Sequence, residues 1–130
     1  MDLSDIQELD WSSKKILIVE DDAFSAEYLK EVLQPTKVKI LVTKTGNEAI
    51  NLVKQIPDIN LILMDIQLPG LSGDKVVTII REFNSEIVII AQTAHAMVDD
   101  KTKFIKAGCN DYISKPISIN DLFSLLLKYL

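Results

Sequence analysis

A short apolar run that ends in three acids, Ile-Leu-Ile-Val-Glu-Asp-Asp at residues 16–22, decides the fold of this chain. Strands that are buried on both faces have such uninterrupted apolar runs, as in a parallel sheet covered by helices. Two later runs repeat this pattern, and two shorter or less regular runs accompany them. We therefore predict five strands, at residues 16–20, 38–43, 61–65, 87–92 and 112–114.

Amphipathic helical patterns lie between and after these strands. Apolar residues recur in them at spacings of three and four, which is typical of a helix with one buried face. Hydroxyl side chains at Thr45 and Ser118 each precede an acid by three residues, as at a helix N-cap. Alternating strands and helices predict one α/β domain with right-handed crossovers and helices on both faces of the sheet. The apolar sets are Phe24, Tyr28, Leu29, Val32 and Leu33; Ala49, Ile50, Val53 and Ile56; Val76, Val77, Ile80 and Phe83; and Leu122, Phe123, Leu126 and Leu127.

The composition is that of one acidic globular domain. The chain has 130 residues, 48% of them hydrophobic and 25% charged, which suits a single domain with its own core. Its formal net charge of −5 argues against direct nucleic-acid binding, which requires clustered Lys and Arg. Cys109 is the only cysteine, so an internal disulfide cannot form and a reducing compartment is expected. No apolar run reaches the ~18 residues that a membrane span needs, so we expect a cytoplasmic location without membrane contact.

Residues 1–13 are polar and acidic, and they lack the basic and then apolar order of a secretory signal. We interpret them as a leader or linker in which Trp11 is exposed. The domain itself is predicted to cover residues 14–130, and we expect no DNA-binding or enzymatic output domain in this chain.

Polar side chains follow the predicted strands where each strand ends. Glu20 ends the first strand and Asp21 follows it, Asp65 ends the third, Thr93 follows the fourth, and Lys115 follows the fifth. Because the carboxyl ends of parallel strands meet at one edge of a sheet, we expect these five side chains to converge there.

Such a cluster suggests a metal-dependent phosphate site. Two like charges ~4 Å apart at an effective dielectric of ~20 repel by about 4 kcal/mol, so the carboxylates require a cation. Mg²⁺ or Mn²⁺ prefers oxygen ligands of this kind. Thr93 and Lys115 would contact phosphate oxygens, and Asp65 is the best-placed nucleophile to form an acyl phosphate.

Each residue alone also has an ordinary interpretation. Taken alone, Asp22 would be a helix N-cap, Lys115 a surface lysine, and Thr93 a capping residue or an ordinary strand end. His95 has no ligand partner at a suitable spacing and is interpreted as a surface residue, and Cys109 as structural.

Four motifs together resemble the receiver domains of two-component response regulators, the CheY-like fold. They are residues 16–22, Leu-Met-Asp-Ile-Gln-Leu-Pro-Gly-Leu-Ser-Gly at 63–73, Gln-Thr-Ala-His-Ala at 92–96, and Ala-Gly-Cys-Asn-Asp-Tyr-Ile-Ser-Lys-Pro-Ile at 107–117. The resemblance covers nearly the whole chain. It implies a flavodoxin-like, three-layer α/β/α sandwich with a five-stranded parallel sheet in the order 2-1-3-4-5 and five helices.

The resemblance also implies a function for several residues. Asp65 would accept a phosphoryl group from a phosphohistidine on a histidine kinase or phosphotransfer domain. Asp21, Asp65 and the backbone carbonyl of Gln67 would ligate Mg²⁺, and Glu20 would act largely through a metal-bound water. Glu20 stands where many members of the family have Asp.

The resemblance further implies a conformational switch. Thr93 and Lys115 would respond to the phosphoryl group, Tyr112 would move inward, and the face made by the last two helices and the last strand would repack. The Lys115–Pro116 bond is expected to be cis. Gln67 and His95 would flank the attacking water and tune dephosphorylation.

The larger context has two interpretations. The motifs at 93–97 and 109–117, and the acidic leader, favour a receiver from a hybrid sensor histidine kinase, and a free-standing receiver in a phosphorelay is the alternative. The isolated domain would be a phosphoacceptor that catalyses its own phosphorylation and dephosphorylation.

Two other classes of function fit less well. A phosphatase of the haloacid-dehalogenase type requires a second Asp two residues after the nucleophile, where this chain has Gln67. A flavodoxin-like FMN module requires a phosphate-binding loop after the first strand, where the acids at 20–22 would repel phosphate.

Overall fold

A computed structural model describes residues 3–94 and 98–130 of the chain, with their side chains from 5 to 94 and from 101 to 130. The predictions for His95 fall outside these residues. The described part contains five strands, each within one residue of its predicted bounds at both ends: β1 (Lys15–Val19), β2 (Lys39–Thr43), β3 (Leu61–Asp65), β4 (Val88–Thr93) and β5 (Asp111–Ser114). Its helices are α1 (Leu3–Gln7), α2 (Ala23–Leu33), α3 (Gly46–Gln55), α4 (Gly73–Phe83), α5 (Val98–Ala107) and α6 (Ile119–Tyr129), with a 3₁₀ turn at Gln34–Thr36.

All strand pairs are parallel, and the strand order is β2-β1-β3-β4-β5. The predicted sheet is therefore confirmed. The predicted number of helices is wrong by one, because the described residues contain six. The additional helix is α1, which lies in the segment interpreted as a leader.

The sheet separates two apolar cores. Leu17 and Ile62 point into the core made with α3, α4 and α5. Ile16 and Leu61, their neighbours in sequence, point into the core made with α2 and α6. Both faces of β1 and β3 are thus buried, which explains the uninterrupted apolar runs that predicted them.

The interpretation of Trp11 as exposed is wrong. Its side chain is buried, and its ring stacks on Phe123 of α6 with the ring centroids 6.0 Å apart. The Trp11 backbone N–H donates to the Thr36 carbonyl over 2.7 Å, and Ile6 of α1 is buried in the same core. The acids around these two residues made the segment look like a linker, whereas its few apolar side chains pack on the sheet's α2–α6 face. The domain boundary at residue 14 remains a prediction.

The packing of Trp11 predicts a large loss of stability when its ring is removed. Truncation of a buried aromatic side chain costs the free energy of its transfer from water and leaves a cavity. We expect Trp11→Ala to lower the free energy of unfolding by about 3 kcal/mol in urea titrations, and Trp11→Phe to lose less because a ring still faces Phe123. Equal unfolding midpoints for Trp11→Ala and the wild type would contradict this packing.

The apolar face predicted for α2 is only partly correct. Leu29 and Leu33 are buried, together with Ala26, but Phe24 is 88% exposed and Tyr28 is 42% exposed. The buried stripe passes through the small Ala26, so helical spacing alone does not show that the two aromatic residues flank it. Two other residues assigned to apolar helix faces, Phe83 and Leu127, are also exposed in large part.

Candidate functional site

Three carboxylates meet at the carboxyl ends of β1 and β3. Asp65 is the last residue of β3, and Glu20 and Asp21 follow β1 directly. One carboxylate oxygen from each residue lies within 4.8 Å of the other two. Glu20 and Asp65 are buried, whereas Asp21 is exposed. The cluster therefore opens to solvent on the side of Asp21.

Lys115 provides one positive charge to the cluster. Its Nζ donates to Glu20 Oε2 over 3.0 Å and to Asp65 Oδ2 over 3.3 Å. Its backbone N–H donates to the carbonyl of Thr93 over 2.8 Å, and its peptide bond to Pro116 is cis, as predicted. The prediction that the ends of β1, β3 and β5 converge is thus confirmed by these contacts.

Burial and charge act in opposite directions on these groups. Burial raises the pKa of Glu20, while the hydrogen bond from Lys115 opposes that rise. Burial lowers the pKa of Lys115, but its bonds to Glu20 and Asp65 and their charges outweigh burial and raise that pKa. Lys115 therefore stays protonated at neutral pH. It is one positive charge among three acids.

The donor set fits a hard divalent cation. Mg²⁺ binds oxygen at about 2.1 Å, so two of its ligands lie at most about 4.2 Å apart. Carboxylate oxygens within 4.8 Å of one another need only small side-chain rotations to reach that spacing, or one water between the ion and the more distant oxygen. A single Mg²⁺ would balance the negative charge of the carboxylates that Lys115 does not neutralise.

A tight loop after β3 holds Asp65 in place. The backbone N–H of Gln67 donates to Asp65 Oδ1 over 3.0 Å, and the Ile66 N–H donates to the Gln92 carbonyl over 3.1 Å. The start of α4 returns so close to this strand end that a Cβ on Gly73 would lie 2.6 Å from the Asp65 carbonyl oxygen. Glycine is therefore required at 73, a constraint that sequence reasoning missed.

Thr93 lies on the other side of Asp65, at the end of β4. Its side chain is buried, and it lines a pocket of about 410 Å³ together with Gln67. Lys103 of α5 also lines this pocket and pairs with Asp74 at the start of α4. The pocket thus lies between the predicted phosphate-binding residue and the helix that follows β4.

Tyr112 of β5 is half-buried and packs against the α3–α5 core. Lys101 of α5 places its Nζ 5.2 Å from the centre of the Tyr112 ring, a cation–π contact that sequence reasoning missed. This contact joins α5 and β5, the two elements of the predicted switch.

Two of the ordinary interpretations agree with the structure. Asp22 caps α2 by accepting from the backbone N–H of Phe24 over 3.1 Å and from Ser25 Oγ over 2.8 Å. Cys109 is buried, and burial raises the pKa of its thiol to about 12, so it is unreactive.

Sequence reasoning also missed a groove beside the cluster. Its walls are α2, with Phe24 and Tyr28, and the connection between β5 and α6, with Pro116 and Ile117. The Tyr28 hydroxyl donates to the Ile117 carbonyl over 2.9 Å and so joins α2 to this connection. The only sequence signal was an aromatic residue two positions after the acids, which the helical period assigned to the core.

Sequence comparisons identify relatives that are named as a histidine kinase and a response regulator. The chain is 32% identical over 120 residues to the sensor histidine kinase GacS of Pseudomonas protegens, covering 88% of this chain and 13% of GacS. It is 36% identical over 121 residues to the polar-differentiation response regulator DivK of Brucella ovis, covering 91% of this chain and 97% of DivK. The chain therefore spans only a small part of the first relative and nearly all of the second.

A solved structure of a receiver domain has a fold similar to that of this chain. The receiver domain of the response regulator Ssk1, co-crystallised with the histidine phosphotransfer protein Ypd1 of Saccharomyces cerevisiae, has a TM-score of 0.84 and 33% identity. The match covers 89% of this chain and 88% of that one.

In the described part of the chain, none of the helices has the length and apolar character to cross a membrane. Residues 16–127 match the family described as the response regulator receiver domain, and the chain belongs to that family.

Proposed function

We propose that Asp65 accepts a phosphoryl group from a phosphohistidine on a histidine kinase or a histidine phosphotransfer protein, in a reaction that requires Mg²⁺. The observation that carries this proposal is the pair of contacts from Lys115 Nζ to Glu20 and Asp65, beside the exposed Asp21. Such a site combines a buried nucleophile, a fixed ammonium group and an opening towards solvent through which a donor can approach.

The residues of this site divide the chemistry among them. Glu20, Asp21, Asp65 and the Gln67 carbonyl would hold Mg²⁺, which when bound neutralises charge on the phosphoryl oxygens. An Asp65 oxygen forms the new O–P bond as the P–N bond to the donor imidazole breaks, and the imidazole leaves with a proton from solvent. Lys115 stabilises the developing charge on the phosphoryl group, and the Thr93 hydroxyl donates to one of its oxygens.

The same charges would drive the switch. A phosphoryl group adds about −1.5 to −2 charge at Asp65, which attracts Lys115 and Thr93 away from their present positions. Movement of Thr93 gives Tyr112 room to turn inward, and this movement would break the contact between Lys101 and the Tyr112 ring. The surface formed by α5, β5 and α6 would repack, and a partner protein would bind it.

The relatives support two settings for this reaction. We propose that the chain is the cytoplasmic receiver of a hybrid sensor histidine kinase, the class to which the resemblance of its motifs points. Similarity to GacS, a sensor histidine kinase, is consistent with this origin. Similarity to DivK over nearly the whole of DivK keeps a free-standing response regulator as the alternative.

The proposal is tested with wild-type protein and a small phosphodonor such as acetyl phosphate. We expect intact-mass measurement to show one added phosphoryl group in the presence of Mg²⁺ and none in the presence of EDTA. Phosphorylation that is equally fast in EDTA would contradict the metal requirement. Steady release of phosphate from unrelated phosphoesters would instead favour a phosphatase.

The exposed Phe24 predicts where the donor protein docks. A large exposed aromatic residue beside a reactive site is typical of a contact with a partner. We expect Phe24→Ala to slow transfer from a phosphorylated histidine phosphotransfer protein about tenfold, which corresponds to ~1.4 kcal/mol of lost binding. Transfer rates at low receiver concentration provide the measurement.

Phe83 provides a matched control for Phe24. It is also an exposed phenylalanine, but it lies at the far end of α4, where the Nζ of Lys54 is 5.1 Å from its ring centre. We expect Phe83→Ala to transfer at the wild-type rate. If both variants lose rate to the same degree, Phe24 has no special part in docking.

A further inference from the structure

The buried side-chain amide of Gln92 lies beside the phosphoacceptor cluster and has no part in the chemistry proposed for that cluster. Gln92 is on β4, paired in register with Asp65 of β3. Its side chain is 0% exposed, and neither its amide nitrogen nor its amide oxygen has a hydrogen-bond partner among the described residues. A buried polar group without a partner destabilises a fold, so its presence points to a use outside the isolated domain.

Gln92 lines the groove between α2 and the β5–α6 connection, which has a volume of about 670 Å³. The other lining residues with large side chains are mostly apolar: Phe24, Tyr28, Leu29, Pro116 and Ile117. Ligand sites commonly consist of apolar walls with a few polar groups that fix the orientation of what enters. Gln92 is the neutral polar group of this groove that has no partner among the described residues.

The groove is continuous with the phosphoacceptor. Lys115 lines it and also donates to Asp65. A protein that brings a phosphohistidine to Asp65 therefore lies against the mouth of this groove. The related Ssk1 receiver was crystallised with such a protein, the histidine phosphotransfer protein Ypd1. This proximity identifies the occupant as a segment of the phosphodonor.

We propose that Gln92 is a specificity-determining residue of phosphotransfer, whose amide pairs with an Asn or Gln side chain that the donor protein inserts between Phe24 and Pro116. An amide offers one acceptor and two donor hydrogens, and another amide is the side chain that satisfies both kinds at once. Interface side chains commonly change rotamer on binding, which lets the Gln92 amide turn towards the groove. The inference rests on the proposed function, because it concerns the donor of the same reaction.

A donor without the amide is disfavoured for a physical reason. It would leave the Gln92 amide unpaired, as it is in the free protein, and would lack the binding free energy that pairing of the amide contributes. Discrimination of this kind distinguishes histidine donors from one another. It does not apply to acetyl phosphate, which is too small to fill the groove.

The test uses Gln92→Met, which keeps the length of the side chain and removes the amide. The donor is the fastest of a panel of phosphorylated histidine phosphotransfer proteins that includes Ypd1. We measure a selectivity ratio, which is kcat/KM for this donor divided by the rate constant for acetyl phosphate with Mg²⁺. We expect the ratio to fall about tenfold in Gln92→Met, because the amide that pairs with the donor protein is removed. Ile90→Val, a conservative change on the same face of β4, is expected to keep the wild-type ratio.

Two further measurements separate this role from a structural one. We expect Gln92→Met to raise the Tm, because an apolar side chain replaces an unpaired amide. Replacement of the donor's Asn or Gln by Ala is expected to slow transfer to the wild type about tenfold and transfer to Gln92→Met much less.

Several results would overturn the inference. An unchanged selectivity ratio would show that the donor does not contact Gln92, and a marked fall in Tm would show that the amide is paired within the free protein. Transfer from acetyl phosphate but from no histidine donor would remove the proposed occupant while leaving Asp65 as the acceptor. Failure of acetyl phosphate as well would instead refute the proposed function.

Discussion

Asp65→Asn is expected to gain no phosphoryl group when it is incubated with Mg²⁺ and acetyl phosphate, under conditions that phosphorylate the wild type. An amide nitrogen or oxygen at this position cannot form the acyl phosphate, since the nucleophile of the reaction is a carboxylate oxygen. The shape of the side chain is kept, and Lys115 can still donate to the remaining oxygen. The fold is therefore expected to survive while phosphorylation is lost completely. Intact-mass measurement checks this result.

Asp58 supplies the control for this variant. It is an exposed aspartate that pairs with Lys15 near the start of β1, at the opposite edge of the sheet from Asp65. Asp58→Asn removes one negative charge of the same kind and is expected to be phosphorylated like the wild type. Modification that persists in Asp65→Asn would move the acceptor to another residue.

The second large effect is expected on the affinity for Mg²⁺. Asp21 is the exposed carboxylate of the cluster, and Lys115 contacts the other two. Loss of a directly bound carboxylate removes a full charge from the ion's first ligands. We expect Asp21→Asn to raise the Kd for Mg²⁺ by about tenfold or more in calorimetric titration, and Glu20→Gln to raise it less.

The reason for this difference lies with Lys115. Its ammonium group already offsets the charge of Glu20 at 3.0 Å, and Glu20 is proposed to reach the ion through a water. Asp22→Asn is the matched control, because Asn also caps helices well and Asp22 lies outside the cluster. Equal losses of affinity in Asp21→Asn and Glu20→Gln would contradict the proposed ligand roles.

The features that could be predicted from sequence follow from strong, local rules. β1 and β3 are buried on both faces, so their apolar runs have no polar interruption and their bounds are nearly correct. Because the carboxyl ends of five parallel strands share an edge, the strand pattern also predicts that Asp65 and Lys115 lie close together. The contact between these two residues confirms that step.

Other features depend on packing that the patterns do not encode. Helical period placed Phe24 on the apolar face of α2, but the core contacts are made by the smaller Ala26 and by the residues one and two turns later. Trp11 lies among acids, and only its contact with Phe123 shows that it belongs to the core. Gln92 occupies a strand position that is usually apolar, and the strand pattern alone does not show that its amide lacks a partner.

The position of the phosphoryl group in the chain tests the central claim most directly. Borohydride reduces an acyl phosphate to an alcohol, so a phosphorylated aspartate becomes homoserine, which peptide mass spectrometry locates. After incubation of the wild type with acetyl phosphate and Mg²⁺, we expect homoserine at position 65 and unchanged side chains at positions 20 and 21. Conversion at Asp21, or a phosphoryl group carried by His95 with Asp65 unmodified, would contradict the account.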